Sequence, residues 1–216
     1  MFIGHNAVAF ASKPAAPRVS LGTLTAAAMF PDLIWPIFLL LGLEHVRIEP
    51  GATKFTPLDF NDYPWTHSLA TTAAWAAAFA LIYRATRRDA RGAVMVAIGV
   101  ISHWLLDFAT HRPDLPLWPG GPRAGLGLWN YPAATMAIES AMFIMAVLLY
   151  RRFTRPRDRA GSIGFWAFVI LIAAIYIVTA TGPAPPNVTV VAWMGLSGWL
   201  LPFWAGWFDR HREAAV

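Results

Sequence analysis

Apolar residues in this chain come in blocks close to the length of a bilayer crossing, joined by short basic or proline-rich links. The blocks run over roughly 20–43, 66–84, 92–111, 132–151, 162–181 and 188–208. A helical span needs about 20 mostly apolar residues. Lipid offers no partner to a free backbone amide or carbonyl, so such blocks must close their hydrogen bonds internally as helices. The expected fold is therefore all-α: a polytopic integral membrane helical bundle of about six transmembrane segments. Residues 1–12 are too short to cross and are expected as a short N-terminal helix, turned back through Lys13, Pro14, Pro17 and Arg18. Residues 1–216 read as a single membrane domain, with a metal-site half at about 1–145 and C-terminal helices at about 160–208.

Composition agrees. The chain is 57% hydrophobic and only 13% charged, against about 45–50% and 25% in soluble domains. Its net charge of +5 resides in clusters between apolar blocks, notably Arg84, Arg87, Arg88 and Arg91, then Arg151, Arg152, Arg155, Arg157 and Arg159. Basic links so placed set membrane orientation, and no nucleic-acid partner is expected. With these regions, Lys13 and the C-terminal Arg210 and Arg212 on the cytoplasmic side, six spans satisfy the positive-inside rule. The localisation expected is a bacterial inner membrane, with both termini cytoplasmic. With no cysteine, thiolate metal sites and disulfides are excluded.

Within the apolar block 92–111 lie His103, Asp107 and His111, each four residues apart and so on one helix face. Ionisable groups in a span cost several kcal/mol unless paired or ligated, and point to function. Counting the ~1.5 Å rise per residue from the basic ends, Asp32, His103, Asp107, Glu139 and His67 lie about 16–25 Å up their segments. His5 lies about 12 Å up on the same count. With His111, one turn beyond Asp107, these form a slab of metal-capable side chains in the outer half of the bilayer. Imidazole and carboxylate donors suit zinc, with manganese as a second choice. A metal can lower the pKa of its bound water to about 7, with Asp32 and Asp107 the candidate catalytic carboxylates. Loops 44–65 and 112–131 are expected to form a mouth above this slab. There is no nucleophile elbow, phosphate loop or dinucleotide fingerprint.

Gly4-His5, Pro31-Asp32, Thr66-His67-Ser68, Ser102-His103 with Asp107, and Leu117-Trp118-Pro119 occur in this order. In this the chain resembles the YdjM-type inner-membrane proteins, described as membrane-bound metal-dependent hydrolases. The family pattern adds a second Asp and a His after Pro-Asp, where this chain has Ile34 and Trp35, and a His-Arg-Gly where it has Asp62, Tyr63 and Pro64. The order His5, Asp32, His67, His103, Asp107, His111 and Glu139 also resembles the ligand order of zinc-dependent phospholipase C and related single-strand nucleases. That resemblance implies these seven as the metal ligands, with a carboxylate such as Asp32 assisting the water. The resemblance implies a metal-dependent hydrolase in the lipid bilayer acting on an ester or phosphodiester of a lipid or envelope component. The same residues also suit a proton- or metal-ion-coupled transporter, or a non-catalytic membrane scaffold. The number of ions and the oligomeric state stay open.

Overall fold

A computed structural model describes residues 1–215. The chain forms α1 (Phe2–Ser12), α2 (Leu21–Ala28), α3 (Phe30–Leu40), β1 (His45–Ile48), β2 (Leu58–Asp62), α4 (Pro64–His67), α5 (Leu69–Arg87) and α6 (Ala90–Thr110). Then come β3 (Leu115–Pro116), β4 (Arg123–Ala124), α7 (Pro132–Phe153), β5 (Thr154–Pro156), α8 (Arg159–Thr181), α9 (Val188–Ser197), α10 (Leu200–Arg210) and β6 (Arg212–Ala214). The helical membrane bundle is as expected.

Four helical stretches are long and apolar enough to cross a membrane: α6, α7, α8 and the α9–α10 stretch. Together α2 and α3 make a fifth, bent by 57°. The block at 66–84 becomes the 19-residue α5, whose threonines and Arg84 hold its hydropathy below that of the others. The count is therefore four to five apolar spans plus α5, close to the six expected.

Side-chain caps start these helices where the sequence supplies them. The side chains of Ser20, Ser68, Asp89, Asp158 and Asn187 accept from backbone amides in the first turns of α2, α5, α6, α8 and α9. Asn187-Val188-Thr189, which fits a glycosylation sequon, is thus a helix start. Arg88 takes a left-handed conformation after α5.

At the basic end, Lys13 pairs with Asp209 at 2.6 Å, Asp209 accepts from the Tyr150 hydroxyl at 2.7 Å, and β5 pairs antiparallel with β6. At the opposite end the two long loops are ordered by short antiparallel pairs, β1 with β2 and β3 with β4. Arg112 ties them together by reaching Asp59 and Asp114. A main core of aliphatic and aromatic residues fills the bundle, and a smaller one (Trp35, Val46, Tyr63, Trp104, Leu115) lies beneath the loops. The 11-residue α1 packs against α2 and α7 and starts beside α6: the Met1 ammonium lies 2.6 Å from Asp107. Met1 therefore sits at the level of Asp107, whereas Lys13 lies at the basic end.

Candidate metal centre

The site grows out of the break between α2 and α3. The last carbonyls of a helix lack intrahelical partners. Ala28, the last residue of α2, has its carbonyl oxygen 2.9 Å from His103 Nδ1. A carbonyl only accepts, so Nδ1 carries the proton and Nε2 keeps its lone pair. Across the break, Pro31 and Asp32 occupy the first turn of α3. The fixed φ of proline suits that position, and the helix dipole favours a carboxylate there.

His67 is oriented by a second relay. Its Nδ1 lies 2.6 Å from Thr66 Oγ1, whose hydroxyl donates to Glu44 Oε2 at 2.7 Å. Glu44 Oε1 also accepts from the amides of Trp65 and Thr66. Burial pushes the Glu44 carboxyl above its usual range, and these donors oppose that shift. Held at Nδ1, His67 presents Nε2 to Asp32 Oδ1 at 3.4 Å. Sequence reasoning missed Glu44: it lies in a loop 22 residues before Thr66, with no spacing to mark it.

Two overlapping groups result, His5–His103–Asp107 and Asp32–His67–His103, with the ligand atoms of each within 4.8 Å of one another. His103 Nε2 lies 3.1 Å from Asp107 Oδ2 and 3.7 Å from Asp32 Oδ1, and His5 Nε2 lies 3.2 Å from Asp107 Oδ1. Tetrahedral zinc with bonds near 2.1 Å separates its ligand atoms by about 3.4 Å, so the spacings fit a common ion. The rings of His5 and His103 stack at 3.7 Å. Buried His103 Nε2 makes no hydrogen bond, although it is aimed between two carboxylates. An imidazole nitrogen so placed is what a metal ligand looks like before its ion is added. The donor set therefore fits a divalent metal.

Two expected ligands fall elsewhere. His111 caps α6 with its amide still bonded to the Asp107 carbonyl at 2.7 Å, so it follows Asp107 on that face but lies one turn nearer the loops. Its Nδ1 instead lies 2.9 Å from Asp114 and 3.2 Å from the Tyr63 hydroxyl. Burial pushes that phenol well above its usual range, keeping it a donor to Asp114. Glu139 is buried on α7, where Oε2 accepts from the Gly4 amide at 3.4 Å, as a carboxylate at a helix N-terminus does. Neither belongs to either ligand group.

Access is one-sided. The side chain of Asp32 is 35% exposed, whereas those of His5, His67, His103 and Asp107 are 0–6% exposed.

The YdjM inner membrane protein family matches residues 2–183. The chain belongs to this family. No curated protein and no solved structure matches it, and the likeness in ligand order to zinc-dependent phospholipase C gains no support from either comparison. As a member of the YdjM family it is an inner membrane protein built around His and Asp groups suited to a metal.

Proposed function

We propose that this YdjM-family protein is an integral-membrane metal-dependent hydrolase acting on an ester or phosphodiester of a lipid or envelope component. The observation that carries the reading is the partnerless, buried Nε2 of His103, fixed by Ala28 and surrounded by Asp32, His67, Asp107 and His5. Both ligand groups use that nitrogen, and the other ring nitrogen is committed to a carbonyl. The imidazole thus has one lone pair to give and serves one ion. Trp35 packs edge-on against His67 and offers no ligand for another. Zinc is the favoured ion and manganese the second choice.

A bound zinc would supply a water acidic enough to ionise near neutral pH and a positive charge facing the scissile group. The chain supplies the rest. Asp32 Oδ1 faces both imidazoles, and as the exposed carboxylate of the site Asp32 is the group to accept the proton. Water oxygen bonds to the carbonyl carbon or phosphorus, and a water proton passes to Asp32. The bond from that centre to the alcohol oxygen then breaks, and Asp32 returns the proton to the departing oxygen. Products are an acid and an alcohol. Asp107, held by the Met1 ammonium, His5 and His103, is the fixed carboxylate of the pair. With the arginine-rich end cytoplasmic, the reaction takes place in the outer half of the bilayer.

Elemental analysis of detergent-purified protein tests this reading. About one equivalent of zinc or manganese, lost in His103→Ala, is the expected result. Metal-free protein whose melting temperature ignores both chelator and added zinc would overturn it.

A further inference from the structure

Asp32 belongs to two features at once. It is a member of the Asp32–His67–His103 group, and it is the one carboxylate in the wall of an otherwise apolar cavity. That cavity lies among α3, α8, α9 and α10, with Leu33, Trp35, Leu171, Leu201 and Trp204 in its wall. Its volume is about 330 Å³, at the lower end of the range for small-molecule sites, about 300–1,000 Å³. At the ~30 Å³ that a water molecule occupies, it has room for on the order of ten methylene-sized groups. Met194 and Leu200 also line it and are 66% and 67% exposed. Both lie on the apolar α9–α10 stretch, so this opening faces the hydrocarbon of the bilayer and not water.

We infer that this cavity holds the hydrocarbon chain of a membrane amphiphile, which enters sideways from the bilayer and brings its polar linkage to Asp32. The inference rests on the hydrolase reading and specifies its substrate: a lipid ester or phosphodiester with a tail of about the cavity's length. Leaving lipid for this cavity removes no apolar surface from water, because lipid tails are as apolar as leucine. The cavity therefore does not drive binding. It selects tails by shape and length, and holds the linkage beside the carboxylate, the positioning that makes a reaction effectively unimolecular.

The test uses the full chain in nanodiscs of dioleoylphosphatidylcholine. The probe is a lysophosphatidylcholine whose lauroyl chain carries a photoreactive diazirine, and labelled peptides are mapped. Saturable labelling of the segments holding Leu171 and Leu201–Trp204, competed by unlabelled lauroyl lysophosphatidylcholine, is expected. Leu171→Trp and Ser197→Trp fill the cavity from exposed positions that the core does not need. Each should cut that labelling several-fold while metal content stays at the wild-type level. Labelling spread evenly over the lipid-facing helices, or unaffected by both variants, would overturn the inference. Metal content and label measured on the same wild-type protein separate the two readings. Label retained in wild-type protein that holds no metal supports the tail site and sinks the metal reading; full metal without saturable label does the reverse.

Discussion

The Nδ1 of His103 lies 2.9 Å from the carbonyl oxygen of Ala28, the residue at which α2 ends. That contact settles the tautomer of the central imidazole and aims its free nitrogen at Asp107 and Asp32. The break in the α2–α3 stretch thus provides an acceptor on one side and, on the other, a helix start that holds Asp32.

Thr66 does for His67 what Ala28 does for His103, but with a side chain, so it is open to mutation. Thr66→Val removes both the acceptor for His67 Nδ1 and the donor to Glu44. Loss of such an orienting partner commonly weakens metal binding about 10–100-fold. Competition with a chelator of known affinity should show a drop of that size with unchanged helix content. Unaltered affinity would rule the relay out as an orienting device.

His111 and His67 both sit at helix ends, yet they should respond oppositely. His67→Ala should abolish stoichiometric metal. His111→Ala should leave metal content intact and lower stability by about 1–3 kcal/mol, the usual cost of stranding buried polar partners, here Asp114 and Tyr63. Metal analysis and thermal melting of the two variants side by side check this.

Protons and a metal ion compete for the same imidazole lone pairs. Metal affinity should therefore fall as pH falls. Titrating bound zinc against pH in detergent measures the sign. Affinity that rose on acidification would mean that the histidines are not ligands.

The crossing of α2 and α10 depends on glycine on one side more than the other. A Cβ on Gly22 would lie 2.4 Å from the Pro202 carbonyl oxygen and 2.8 Å from Gly206 Cα, both backbone. A Cβ on Gly206 would meet nothing nearer than 3.5 Å. Gly22→Ala should destabilise the bundle by about 1–3 kcal/mol through overpacking, and Gly206→Ala should be close to neutral. Melting temperatures of the two variants test the asymmetry.

Much of this is legible in sequence because it is local or periodic. Apolar blocks mark the spans, Pro31-Asp32 marks the break, and the four-residue step from His103 to Asp107 survives as a 3.1 Å contact. The same step carries His111 one turn nearer the loops, where Asp114 and Tyr63 engage its ring, contacts that spacing does not show. Height along a span makes Glu139 a candidate but does not show its partner, the Gly4 amide, which the packing of α1 on α7 supplies. Glu44 and the lateral cavity depend on loop return and helix crossing, contacts between residues distant in sequence, and periodicity carries no trace of them.

The bend at Met29 means that one stretch of chain is read twice, by different rules. Membrane insertion responds to the summed hydropathy of residues 21–40, which together pass as one span. The proposed metal site draws from that stretch only the loose ends at its middle. Substitutions that straighten it would leave hydropathy, and so insertion, intact while removing the Ala28 acceptor and the first-turn position of Asp32 together. On the proposed reading, such a protein would reach the membrane in normal amounts and arrive there without its metal.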